Sequence, residues 1–283
     1  MSNPRSDSLP TNAKPFHYDL LIKTDLEKLH VNGYVAIHLD IENDTNSLTF
    51  NSAKILITSV SVDYPDVGVQ QIDLSRLTFD KDLEQASLTL PTAIKKGTKA
   101  VLIIPFKYRM TNKSKGYYYS TYKIKGQDYR FSVTKFEPIA ARRAFPCWDE
   151  PALKATFDIS MISKESTDVF SNTWSIFDSK ITSESTPGPH FFEDGIVDGW
   201  KITKFERTPA ISTHLVQLAN GTFKQFESSL VLSSGKTCPI TVYPPKDFEG
   251  MLRYIAKDIK VAYLYVHSPS TWAYALSLLW YII

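Results

Sequence analysis

The sequence predicts a mainly β chain, a saddle-like, multi-stranded β-sandwich, followed near its end by a single helix. Three observations carry this. Apolar residues alternate with polar ones over long runs, most clearly at 31–42 (VNGYVAIHLDIE), where Val35, Ile37, Leu39 and Ile41 share one face. Residues that favour strands are abundant, with 16 Phe, 15 Tyr and 5 Trp alongside many Thr, Val and Ile. Turn signals, drawn from 16 Pro and 11 Gly, recur between candidate strands at roughly eight to twelve-residue spacing.

The opening stretch 1–14 is polar and reads as a flexible leader. Alternation starts at Tyr18, Leu20 and Ile22. Further strands are expected at 48–50, 54–63, 86–90 and 99–109, the run 99–108 (KAVLIIPFKY) strongly apolar. Segments 117–122 and 129–134 form a hairpin across Lys125, Gly126 and Gln127. A short helical turn fits 138–144, because proline is well accepted in a first helical turn. Strand patterns return at 155–162, 200–207, 214–219 and 222–231, with 178–199 reading as a loop. At 248–266, Met251, Leu252, Ile255, Ile259, Ala262, Tyr263 and Val266 recur at helical spacing, so an amphipathic helix is expected there. The last residues, 272–283 (WAYALSLLWYII), are nearly all apolar but fall short of the roughly twenty needed to span a bilayer.

Several function classes are excluded or disfavoured. The net charge of +2 comes from 32 basic and 30 acidic residues, dispersed along the chain. A nucleic-acid partner calls for a concentrated basic stripe. Two distant cysteines, Cys147 and Cys238, make neither a disulfide framework nor a metal cluster. Cys147, in an apolar Phe-Pro-Cys-Trp setting, reads as a buried inert thiol. The polar opening lacks an apolar signal region, so the cytoplasm is the expected compartment. None of the six histidines (His17, His30, His38, His190, His214, His267) is followed by Glu, and no two are four apart. An H-E-x-x-H zinc site is therefore absent, and surface or edge positions explain the histidines. There is no G-x-S-x-G and no phosphate-cradling glycine motif. No catalytic residue and no metal ligand is assigned.

One segment stands apart: residues 134–157, TKFEPIAARRAFPCWDEPALKATF. It sets an isolated carboxylate, Glu137, between a strand and a short helix. Two arginines, Arg142 and Arg143, precede the acidic pair Asp149 and Glu150. On chemistry alone this is a structural corner. Glu137 would favour the positive end of the helix, and an arginine would pair with Asp149 or Glu150 to pin the loop.

The segment closely resembles the signature of the zinc aminopeptidase family that includes aminopeptidase N, puromycin-sensitive aminopeptidase and the fungal alanine/arginine aminopeptidases. That signature reads roughly T-Q-F-E-P-x-x-A-R-R-A-F-P-C-W-D-E-P-x-x-K-A-T-F. Residues 9–19 (LPTNAKPFHYD), 200–213 (WKITKFERTPAIST) and 219–223 (ANGTF) resemble other parts of the family, and the resemblance extends over about residues 9–266. It implies an amino-terminal β domain at 15–245 and the first helix of a truncated thermolysin-like domain at 246–267, with 268–283 foreign to the family. The family's zinc helix and G-x-M-E-N exopeptidase motif have no counterpart here. The resemblance therefore implies a metallo-aminopeptidase β domain, inactive alone and without a cofactor of its own, zinc belonging to the whole enzymes. By the same resemblance Glu137 would hold the free α-amine of a peptide substrate. The family carries Gln two residues before that Glu; here Lys135 stands there, a cation placed to compete for Glu137 or to repel the amine. The alternative function is a non-catalytic module that binds peptide amino termini or a protein partner through Glu137. Self-association through exposed apolar surface is expected, and membrane attachment is not.

Overall fold

A computed structural model describes residues 8–65, 67–182, 191, 198–231 and 237–243. The helix expected at 248–266 and the apolar end at 268–283 lie outside the described residues.

The strands in chain order are β1 (Ala13–Asp25), β2 (His30–Ile41), β3 (Thr45–Asn51), β4 (Leu56–Ile57), β5 (Val60–Tyr64) and β6 (Gly68–Ile72). Then come β7 (Leu77–Asp80), β8 (Gln85–Ile94), β9 (Lys99–Arg109), β10 (Gly116–Ile124), β11 (Gln127–Lys135) and β12 (Thr156–Lys164). The last are β13 (Asp168–Ser171), β14 (Ser175–Lys180), β15 (Trp200–Phe205), β16 (Leu218–Gly221), β17 (Phe226–Val231) and β18 (Thr237–Val242). Among the described residues the helical pieces are short 3-10 turns, including Ala141–Arg143 and Thr213–Leu215. The chain is mainly β, as its alternation indicates.

Two compact units form. Among the described residues, the first lies within Met1–Ser120 and Ser132–Asn220, the second within Thr121–Phe131 and the residues after Asn220. In the first, a nine-stranded sheet runs β14-β15-β12-β1-β2-β9-β5-β6, with β4 also on β9, and a three-stranded sheet runs β3-β8-β7. β1 pairs parallel to β12 and antiparallel to β2. A further sheet has the order β10-β11-β16-β13. In the second unit the tip of the β10–β11 hairpin stacks Tyr122 on Tyr129, with ring centroids 5.4 Å apart, and sets Phe131 edge-on to Phe223. β17 and β18 pair antiparallel.

Alternation places one face of the large sheet in the core. Tyr18, Leu20 and Ile22 of β1, Val35, Ile37 and Leu39 of β2, Leu102 and Ile104 of β9 and Phe157 of β12 are buried together with Leu48, Phe50 and Leu88 of the smaller sheet. Each such side chain contributes about 1.5–3 kcal/mol on burial. Gly33 is required in β2, because a Cβ there would meet the Phe106 ring at 2.2 Å. The outer face is polar at one end. At the other, Ile162, Ile181, Phe191 and Trp200 form a small separate cluster, with the ammonium groups of Lys23 and Lys164 each 4.2 Å from the Trp200 ring.

Some boundaries differ from the sequence expectation, for local reasons. The ordered fold includes residues 8–14, read as leader. Leu9 is buried and its N–H donates to Glu150 Oε1 at 2.6 Å, while the Asn12 amide donates to Thr45 Oγ1 at 2.7 Å. The expected strand at 54–63 is two strands, because both register on β9 around Pro105, which has no N–H to offer. There the N–H and hydroxyl of Thr58 both donate to the Pro105 carbonyl. The expected loop at 178–199 begins late, since β14 extends to Lys180. The 214–219 strand is shortened to β16 because Thr213–Leu215 turns as a 3-10 helix.

Buried tyrosines give this fold a pH limit. The Tyr117 hydroxyl meets the hydroxyls of Ser132 at 2.8 Å and Thr24 at 3.0 Å. Burial pushes its pKa from 10.0 up to about 12, against the lowering effect of those two hydrogen bonds. The folded chain thus keeps a proton that the unfolded chain releases. Its contribution to stability is complete below pH 10.0 and is lost as pH rises toward about 12. Urea unfolding at a series of pH values should show stability falling through this window. Tyr117→Phe should flatten that fall while costing ~1 kcal/mol at neutral pH for its lost hydrogen bonds.

Candidate functional site

The 134–157 segment leaves β11 at Lys135 and returns to the large sheet at β12. Its first anchor is Phe136, which is buried and edge-on to Phe145 at 6.1 Å. Phe145 in turn meets Tyr18 and Phe157, which stack on each other at 4.7 Å with planes 7° apart. The Trp148 N–H donates to the Tyr18 hydroxyl at 3.2 Å. Burial raises the pKa of Tyr18 well above its usual value. The aromatic residues of the segment are therefore core, and they fix where its polar residues can go.

The second anchor is an ion pair. Arg142, in the 3-10 turn Ala141–Arg143, donates from Nε to Asp149 Oδ2 at 3.0 Å and from its guanidinium to the Asp149 carbonyl at 3.3 Å. Its backbone N–H also reaches Asp149 Oδ2 at 3.3 Å. Asp149 Oδ1 accepts from the Thr213 hydroxyl at 2.7 Å, and the Asp149 N–H donates to Asn51 Oδ1 at 3.0 Å. Both charges are nearly out of water, Asp149 at 2% exposure and Arg142 at 8%. Asn51 completes the tie, exchanging backbone hydrogen bonds with Cys147 at 2.7 and 3.1 Å.

The expected corner is thus present, with partial reassignment of its partners. Arg142 takes Asp149. Arg143 takes Glu84, a residue from the β7–β8 connection that no local pattern announces. Glu150 accepts the Leu9 N–H instead of binding an arginine. Gly116, at φ +79, lies where a Cβ would sit 2.9 Å from Arg143 Cβ. Cys147 is fully buried and its thiol is pushed well above its usual pKa, first by burial and then by Asp149, as an inert thiol requires.

Glu137 is the exception. It is exposed, and no hydrogen bond or ion pair reaches it among the described residues. It does not cap the 3-10 turn, whose N-cap is Ala140 with no side-chain hydrogen bond. Lys135 is exposed as well, and the two form no ion pair with each other. Their neighbours hold the backbone: Ala140 N–H donates to the Phe136 carbonyl at 2.6 Å, closing the turn that displays Glu137 and Ile139. Every other charged side chain between 137 and 150 is engaged in holding the fold.

A second polar constellation was not visible in the sequence. His17 is buried, at 7% exposure, where a surface or edge position was expected. Strand pairing brings it beside His38, Asp19 and Asp158 on the outer face of the large sheet. The one local signal is the His-x-Asp spacing of residues 17 and 19, which puts both on one side of a strand.

Comparison with known proteins bears on the first site. The family model described as the peptidase M1 N-terminal domain matches residues 14–215. Aminopeptidase M1 of Arabidopsis thaliana is 33% identical over 220 residues, covering 77% of this chain and 23% of that protein. Aminopeptidase 2 of Candida albicans is 30% identical over 249 residues, 88% of this chain and 24% of the relative. Aminopeptidase N of Acetobacter pasteurianus is 30% identical over 247 residues, 87% of this chain and 62% of the relative. The chain thus spans about a quarter of the plant and yeast relatives it matches.

The division of labour within the segment is testable by unfolding in urea. Asp149→Ala strands a buried guanidinium and should cost about 3–5 kcal/mol. Glu137→Gln, which removes no contact, should change stability by less than about 0.5 kcal/mol.

Proposed function

The chain belongs to the peptidase M1 N-terminal domain family, and from that premise we propose that it is the amino-terminal β domain of a metallo-aminopeptidase, with Glu137 as its contact to substrate. The observation that carries the proposal is selective disuse. Between residues 137 and 150, where the other charged side chains are consumed by structure, one carboxylate is exposed, has no partner among the described residues and is mounted on a braced turn. A peptide's protonated α-amine is a fitting partner. A charge-assisted hydrogen bond to a fixed carboxylate measures position from the peptide's first residue, which restricts cleavage to that end.

The cleavage chemistry belongs to residues this chain does not carry. Neither H-E-x-x-H nor G-x-M-E-N occurs in the 283 residues, so the donor set of the family's zinc does not fit here and no step is assigned to it. The 283-residue chain should show no turnover of aminoacyl-chromogenic substrates, and chelator-sensitive turnover would contradict this. A second reading, a non-catalytic module that captures amino termini, uses the same carboxylate and differs only in needing no metal. Location in the cytoplasm is part of the same proposal. Among the described residues no helix is long and apolar enough to cross a membrane.

Self-association is also part of the reading. The edge strand β14 and the residue before it display Trp174, Ile176 and Phe177, at 77%, 67% and 47% exposure. An exposed apolar sheet edge pairs readily with another chain. Sedimentation should show concentration-dependent association that weakens in Ile176→Lys.

The amine contact is tested by calorimetry with a short peptide and its amino-acetylated form. The free-amine peptide should bind and the acetylated one should not, and Glu137→Gln should abolish the difference. Lys135→Gln should tighten binding by removing a cation two residues away. Equal binding of both peptides would contradict the role given to Glu137.

A further inference from the structure

An outer row across β12, β1 and β2 gathers metal-ligating atoms that no sequence motif joins. His17 and Asp19, two apart on β1, share a face. His38 is the register partner of His17 across the antiparallel pair, and Asp158 is the partner of Asp19 across the parallel pair. A β-bulge between Pro15 and His17 sharpens the cluster. It sets Phe16 and His17 against the same residue, with ring centroids 5.8 and 5.0 Å from that of His38. Bulges re-aim side chains in this way and are frequent beside functional sites.

The cluster is close to the size that holds a small ion, with His38 and Asp19 hydrogen-bonded to each other where an ion would separate them slightly. His38 Nε2 lies 2.7 Å from Asp19 Oδ2, and His17 Nε2 lies 3.3 Å from Asp19 Oδ1. One ligand atom from each of His17, Asp19 and His38 falls within 4.8 Å of the others. Donors around a tetrahedral zinc ion sit about 3.3 Å apart, given bonds of about 2.0–2.2 Å.

The surroundings of His17 fit the same reading. Its Nδ1 lies 2.7 Å from the Thr156 hydroxyl, which fixes the ring, and its Nε2 faces Asp19 Oδ1 and, at 3.6 Å, Asp158 Oδ2. An imidazole held at one nitrogen by a hydrogen-bond partner, with the other nitrogen turned toward a carboxylate, is oriented as metal-binding histidines are.

We propose that His17, Asp19 and His38 bind one divalent transition-metal ion of the zinc class on the outer face of the large sheet. Arg207 donates to both oxygens of Asp158, at 2.8 and 2.6 Å, so Asp158 is a neutralised outer carboxylate and Asp19 is the ligand. Two imidazoles, one carboxylate and an open fourth position match zinc. Magnesium and calcium, which take oxygen ligands, do not compete. The three ligands lie on strands, and none of them belongs to the 134–157 segment.

The test is titration of the chelator-stripped 283-residue chain with zinc ion, read by calorimetry and by the 15N signals of the imidazoles. The expected result is saturable binding of one ion per chain, with His17 Nε2 shifting and Nδ1 retaining its proton. His38→Gln and Asp19→Asn should each weaken binding by about tenfold or more. His30→Gln and His214→Gln, outside the cluster, should leave it unchanged, and thermal melts of each variant establish that it is folded. Loss of the zinc-induced rise in melting temperature in His38→Gln would agree. Absence of saturable binding, binding equal in all variants, or a His17 signal that reports protonation at both nitrogens in the presence of zinc would overturn the proposal.

Discussion

The buried pair of Arg142 and Asp149 is the constraint on which the rest of the segment depends. Neither oxygen of Asp149 is left unbonded: Arg142 holds one and Thr213 the other. Through these contacts, and through Asn51, which accepts from the Asp149 backbone N–H, three distant parts of the chain meet at one residue. A pair so far removed from water stabilises only when its geometry and remaining hydrogen bonds are nearly complete, because desolvation of both charges costs several kcal/mol. Here both carboxylate oxygens and the Asp149 carbonyl are hydrogen-bonded. The consequence is specificity of position: the turn from 136 to 150 has one way to satisfy that carboxylate.

Glu137 gains its meaning from this arrangement. An exposed glutamate is ordinary by itself. It becomes informative where Phe136 is locked into an aromatic cluster on one side and the Arg142 turn is locked on the other. The backbone at Glu137 is then held from both directions while its side chain is spent on nothing. A binding group mounted in this way loses little freedom on engaging a ligand, which is the physical advantage of preorganisation. The cationic neighbour Lys135 is likewise unspent, so the local field at Glu137 is open to change by substitution.

Long alternating strands were legible in the sequence because each buries one full face. β2 and β9 appear nearly where the alternation puts them, and Val35, Ile37 and Leu39 are buried as the pattern requires. The hairpin of β10 and β11 was legible from Lys125 and Gly126, both of which adopt positive φ. Short strands such as β6 and β14 were not, since most of their residues are exposed and carry no alternation to read. In the candidate site, an arginine–carboxylate pair was legible because it is local, but which of the two arginines and two acids form it was not. The Arg143–Glu84 contact and the outer histidine cluster were not, because they depend on strand pairing between residues far apart in sequence. Motif reading finds metal sites on helices, where ligands recur at fixed spacing, and passes over those assembled across strands.

The central claim, that one buried ion pair organises the segment, is tested most directly by a double-mutant cycle in urea with Arg142→Ala, Asp149→Ala and the double variant. The account predicts that the two single changes are strongly coupled, with the double variant recovering about 2 kcal/mol or more relative to their sum, because removing both charges spares the cost of stranding either. Additivity within about 0.5 kcal/mol would contradict it.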